Sequence, residues 1–223
     1  MKPAVVVEVA EMMNGEVGNE RADDELLDCH PDHRADLAAS GLTAATIREL
    51  NIHTVPPRFV AKHLGFEHSR LESVLCFPYP GCGGFCRDKL FPPITDSDGH
   101  SIRYLQRKGT DPRLYIPPLV RSVLADPSVT LYLTEGEKKA AKACQEGLPC
   151  IGLGGLWNWV KDGRPVEDLN LIIWKERRVV LVPDNDVWQA RDDLLRAVYA
   201  LGAELERRGA FVRVLRIPGE MEA

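Results

Sequence analysis

The chain has 223 residues, 44% hydrophobic and 27% charged, enough to bury a core as one domain or two small ones. Its formal charge of −5 sits at the start: residues 1–33 hold 9 acidic and 2 basic side chains, and the rest is near neutral, with 26 Lys and Arg against 24 Asp and Glu. No apolar run approaches the roughly 20 residues that span a bilayer, and no secretory signal is legible, so a cytoplasmic protein without a membrane partner is expected.

Residues 1–32 read as a disordered acidic leader, polar and poor in aromatics. A helical and β-rich subdomain is expected over 33–117. In it, "HRADLAASGLTAATIRELNI" predicts two short helices, broken at Ser40-Gly41 and with Thr43 as a cap. "PPRFVAKHLGF" predicts another helix opened by prolines. Residues 73–117 alternate short β-type runs with turns, and "TDSDGHSIRYLQ" predicts a hairpin at Asp98-Gly99.

Cys76, Cys82 and Cys86 lie in that segment without the paired CxxC knuckles of structural zinc sites. Free buried thiols are the favoured reading. Zn²⁺ held by these three with His68 or His100 is the alternative. Further on, "RYLQRKGTDPR" gathers Arg103, Arg107, Lys108 and Arg113 around Tyr104. Strand alternation puts Arg103 and Arg107 on one face and Tyr104 on the other. Such a patch suits single-stranded nucleic acid, and a charged, solvated edge strand fits equally well.

From Pro118 the pattern becomes α/β. "PLVRSVLAD" predicts a helix, "SVTLYLT" a strand, "GEKKAAKACQEG" a helix closed by Gly147, and "PCIGLGG" a strand and turn. "VEDLNLIIW" leans helical, "RRVVLVPD" is a buried strand, and a long helix ending at Gly209 leads to the strand "AFVRVLRIP". Apolar strands alternating with helices predict a mostly parallel sheet. "IGLGGLW" lacks the third glycine of a dinucleotide fingerprint and any Walker lysine. It reads as a turn, and Trp157 and Trp159 as core.

Ligands of open parallel sheets collect at the carboxyl ends of the strands. Glu135 follows one predicted strand, and Asp184 and Asp186 follow another. If those strands are neighbours, three carboxylates share a crevice. Their repulsion is resolved by a hard dication, Mg²⁺ or Mn²⁺. Each acid alone is explained as well by a cap or a turn. Lys138 and Lys139, at the start of the following helix, could contact an approaching phosphate or form a solvated face.

"LYLTEGEKKA" and "VVLVPDNDV" resemble the Glu-Gly and Asp-x-Asp motifs of the Toprim (topoisomerase–primase) fold. With "LAASGLTAATIRELNI", "FPYPGCGGF", "RYLQRKG", "LYIPP" and "IGLGGLWNW", most of the chain after the leader resembles Toprim-like domains of uncharacterised phage and plasmid replication proteins. The resemblance implies a Toprim-like α/β domain over 118–223. It also implies Mg²⁺-dependent action on nucleic-acid phosphodiesters or nucleotides in DNA replication, in association with a primase. Asp184 and Asp186 would hold the metal. Glu135 would serve as acid–base group or further ligand, and Lys138 would position substrate. The implied partners are DNA or nucleotides and a replicative helicase or polymerase. A non-catalytic DNA-binding or docking module and a nuclease of the same fold are the alternatives.

Overall fold

The computed structural model describes residues 29–189 and 192–217. Residues 1–28 of the expected leader lie outside them, and its last residues enter the first helix, Pro31–Ala39 (α1). The described residues form two compact units, 29–111 and 112–217.

The first unit begins with α1 and Ala44–Glu49 (α2), which turn at Gly41, whose φ of 66° suits glycine. Thr43 caps α2 as expected, its Oγ1 accepting from Thr46 N at 3.2 Å. A third helix, Val60–Leu64 (α3), follows a proline-led turn. The antiparallel sheet has strands His53–Val55 (β1), Ser73–Pro78 (β2), Cys86–Thr95 (β3) and Ser101–Gln106 (β4), in the order β1-β2-β3-β4. The β3–β4 turn forms at the expected place: Asp96 Oδ1 accepts from Asp98 N and His100 N, with Gly99 at φ 85°. Alternation sends Val74, Cys76, Leu90 and Ile94 to one core, where Val60 and Leu64 of α3 pack.

The second unit is α/β. Its sheet runs Phe211–Val214 (β11), Arg178–Val182 (β10), Leu131–Glu135 (β6), Cys150–Leu153 (β7) and Leu114–Tyr115 (β5). The first four are mutually parallel, and β5 joins β7 antiparallel at the edge. Glu137–Gln145 (α5) connects β6 to β7, and Asp192–Arg207 (α6) connects β10 to β11. The core joins Leu131, Leu133, Ile151, Val179 and Leu181 of the strands to Ala197, Val198, Leu201 and Leu205 of α6, which recur at helical spacing. Gly152 is required by close packing: a Cβ there would meet Gly136 O at 2.9 Å and the Cβ atoms of Ala140 and Tyr115 at 3.2 Å.

Two expected helices are shorter than predicted. "PLVRSVLAD" keeps only Pro118–Arg121 (α4). Beyond it the carbonyls of Val123 and Leu124 also accept from Arg177, a fully buried side chain whose guanidinium donates as well to Val129 O and Ile173 O. "VEDLNLIIW" forms one 3₁₀ segment, Glu167–Leu171. It ends where Trp174 Nε1 donates to Leu169 O at 2.7 Å. A small hairpin of Val160–Lys161 (β8) and Arg164–Pro165 (β9) precedes it, turning through Asp162 and Gly163 at φ 50° and 73°. No helix among the described residues is long and apolar enough to cross a membrane.

Candidate functional site

β6 and β10 are neighbours, with Leu133 beside Leu181 and Thr134 beside Val182. Thr134 Oγ1 donates to Val182 O at 3.0 Å and ties the two strand ends together. Glu135 therefore leaves the sheet one residue beyond that tie, and Asp184 two residues beyond it. From here the connections diverge: β6 leads through α5 to β7 on one side, and β10 leads through α6 to β11 on the other. A crevice outside the carboxyl ends of strands that part in this way is where open α/β sheets bind ligands.

Local sequence shapes these strand ends. Gly136, at φ 92°, turns the chain from β6 into α5, and its N–H donates to Leu153 O at 2.7 Å. Glu137 is buried in the first turn of α5, where a carboxylate suits the helix dipole. Lys138 is half-buried and Lys139 is exposed. Lys139 Nζ donates to Asp184 Oδ1, so an ammonium is already seated on this carboxylate. Asp184 precedes a 3₁₀ turn, Asn185–Trp188, which carries the exposed Asp186. Between the aspartates, Asn185 Oδ1 is buried without a hydrogen-bond partner. The Arg216 guanidinium lies over the Trp188 ring at 5.9 Å.

Glu135, Asp184 and Asp186 thus reach one end of adjacent strands, with Lys139 between α5 and Asp184. Their carboxylate oxygens are not among the described groups of ligand atoms that lie within 4.8 Å of one another. The donors nevertheless fit a hard dication. All are oxygens, the donor type such an ion takes. Mg²⁺ takes one or two carboxylates and fills the remaining positions with water and phosphate, so close convergence of all three acids is not needed.

The basic residues divide between the units. Arg103 is exposed on β4, the outer strand of its sheet. Tyr104, the next residue and hence on the other face, is half-buried beside Phe77, with the Arg87 guanidinium 5.3 Å from its ring centroid. Arg107 and Lys108, both exposed, follow the end of β4 in a turn that Thr110 N closes onto Arg107 O. Arg113 belongs to the second unit and grips the buried Asp168: Nε donates to Oδ2 at 2.9 Å and Nη2 lies 2.7 Å from Oδ1. Leu114 N also donates to Asp168, at 2.8 Å. That pair, invisible in the sequence, gives Arg113 a structural task. Trp159 is core as expected, whereas Trp157 is 45% exposed.

The cysteines also separate. Cys82 Sγ turns to Pro80 O at 3.6 Å. Cys76 and Cys86 instead meet His63 and Asp88, the four offering ligand atoms all within 4.8 Å of one another. His68 Nδ1 accepts from Arg70 N. His100 joins Asp96 and Asp98 at the exposed β3–β4 turn. The hydrogen bond with Cys86, then burial, pushes the Cys76 thiol up, and the same bond holds Cys86 down. Burial raises the Asp88 carboxyl, against the pull of His63.

Residues 120–222 match the family model of a domain of unknown function, DUF3854. The matched stretch runs from α4 past β11 and contains all three strand-end acids. No curated protein matches the chain.

Proposed function

We propose that the second unit is a Mg²⁺-dependent, Toprim-like domain acting on nucleic-acid phosphodiesters or nucleotides in phage or plasmid DNA replication, in association with a primase. One observation carries this reading: Glu135 and the Asp184–Asp186 pair leave adjacent parallel strands at the point where the connections diverge. Asp184 and Asp186 would hold the metal, with Glu135 as acid–base group or further ligand, and a dication held there would supply charge neutralisation at phosphate and orientation of an attacking oxygen. Lys139 is displaced from Asp184 at little cost, because its ion pair is half-exposed. It and Lys138 then stand at the start of α5 to meet phosphate oxygens. A cytoplasmic setting accords with free rather than paired cysteines.

A second reading rests on the exposed Arg103, Arg107 and Lys108 of the first unit: a non-catalytic module that binds single-stranded DNA or docks on a helicase or polymerase. One assay separates the readings. The full chain is incubated with labelled single-stranded DNA, with and without Mg²⁺ and with and without nucleotides, as wild type, Asp184→Asn, and the double variant Arg103→Ala/Arg107→Ala, and DNA binding and products are both read. Synthesis or cleavage that needs Mg²⁺ and Asp184 supports the first reading and tells polymerisation from a nuclease. Metal-independent binding lost only in the arginine variant supports the second and removes the first.

A further inference from the structure

The polar cluster beneath α3 is placed by strand register. Cys76 of β2 faces Asp88 of β3 directly, and Cys86 lies two residues before Asp88. Period-two alternation sends all three side chains to the sheet face that carries Val74 and Leu90. α3 covers this face with Val60 and Leu64, and His63, next to Leu64, brings its ring over the cluster. His63 Nε2 lies 2.8 Å from Asp88 Oδ1 and 3.9 Å from Cys86 Sγ. Cys76 and Asp88 are 3% and 4% exposed.

The thiols bury at little cost as neutral groups, but the buried Asp88 carboxylate needs a partner; His63 Nε2 meets one of its oxygens, and a metal ion would join all four groups. The geometry suits one small ion. Tetrahedral Zn²⁺, with bonds near 2.3 Å to sulfur and 2.0–2.2 Å to nitrogen and oxygen, sets its ligand atoms about 3.3–3.8 Å apart. The four atoms here lie within 4.8 Å of one another, with His63 Nε2 2.8 Å from Asp88 Oδ1, so adjustments of about an ångström bring them to that spacing. A disulfide fits less well. Cys76 and Cys86 are diagonal rather than directly opposed across the strands, an arrangement whose β-carbons ordinarily lie beyond the ~3.8 Å of a disulfide. Two thiolates and an imidazole select zinc over Mg²⁺ or Ca²⁺, and four protein ligands leave no open position for catalysis.

We propose that His63, Cys76, Cys86 and Asp88 form a structural Zn²⁺ site that fastens α3 to the β2–β3 hairpin. α3 has five residues, too few to be stable alone. Metal ligation through His63 supplies what its small apolar contact does not. The site lies in the first unit and is independent of the function proposed for the second.

The test uses the full chain, reduced and reconstituted with zinc, then dialysed and assayed for metal by mass spectrometry. One equivalent of Zn²⁺ per chain is expected in wild type. Cys82→Ser should keep it, while Cys86→Ser and Asp88→Asn lower it by about tenfold or more. Co²⁺ in place of zinc should give thiolate charge-transfer and tetrahedral visible bands in wild type, a readout that stands even if a variant does not fold. Substoichiometric zinc without tetrahedral cobalt bands in the reduced wild type overturns the proposal. So does equal zinc loss in Cys82→Ser and Cys86→Ser, or a Cys76–Cys86 disulfide in the purified protein.

Discussion

Thr134 and Val182 stand side by side at the ends of two parallel strands, joined by a 3.0 Å hydrogen bond from the Thr134 hydroxyl to the Val182 carbonyl. That tie fixes how Glu135 and Asp184 leave the sheet. The candidate chemistry therefore depends on register between segments 48 residues apart, not on a local motif.

Replacing Asp184 with Asn should lower any Mg²⁺-dependent turnover by about 100-fold or more. The thermal midpoint should barely move, since a half-exposed ion pair is worth about 0–1 kcal/mol. Lys139→Met should act in the opposite sense on metal binding. Removing the resident ammonium should tighten Mg²⁺ binding by up to about fivefold, measured by calorimetry.

Arg113→Ala should destabilise the second unit by about 3–5 kcal/mol, because it strands a buried carboxylate. Arg103→Ala, at an exposed site, should stay within about 0.5 kcal/mol. Urea unfolding of the two variants measures the contrast. Equal stability would mean that the Asp168 pair does not hold the unit.

Arg177→Met should cost about 3 kcal/mol, as four carbonyls lose a charged donor inside the fold, although those of Val123 and Leu124 keep the backbone N–H of Asp126 and Ile173. Hydrogen exchange should show the loss as opening around Val123, Val129 and Ile173 before the central strands.

The first unit should weaken in acid through His33. This buried ring has Nδ1 2.8 Å from Thr54 Oγ1, while Nε2 is without a partner. Burial first, then the charge of His30, lowers its pKa from 6.5 to about 4. Between those values the unfolded chain binds the proton more readily. The stabilisation is thus full above about pH 6.5 and is lost as pH falls toward 4. The loss is on the order of 3 kcal/mol at most. Denaturant midpoints against pH should flatten over this window in His33→Leu.

The sequence made the second unit's strands legible because parallel strands read as nearly unbroken apolar runs, as in Leu131–Leu133 and Val179–Val182. It also showed the acids at their ends and the β3–β4 turn at Gly99. What it hid depends on partners distant along the chain. Nothing local marks Arg177, yet the fold buries it and turns its guanidinium onto the carbonyls of Val123 and Leu124, 54 and 53 residues away. Asp168 fell in a segment leaning helical, and only the fold brings it to Arg113. His63 and Asp88 escaped notice as ligands because one comes from a helix of five residues and the other from a cross-strand register. Spacing along the chain encodes neither.

The outward divergence of the chain from β6 and β10 has an evolutionary corollary. The loops bordering the crevice belong to separate crossovers. Insertions in one can reshape a substrate's seat without shifting the other, so relatives could diversify in what they recognise while the acids stay anchored to the same pair of strands.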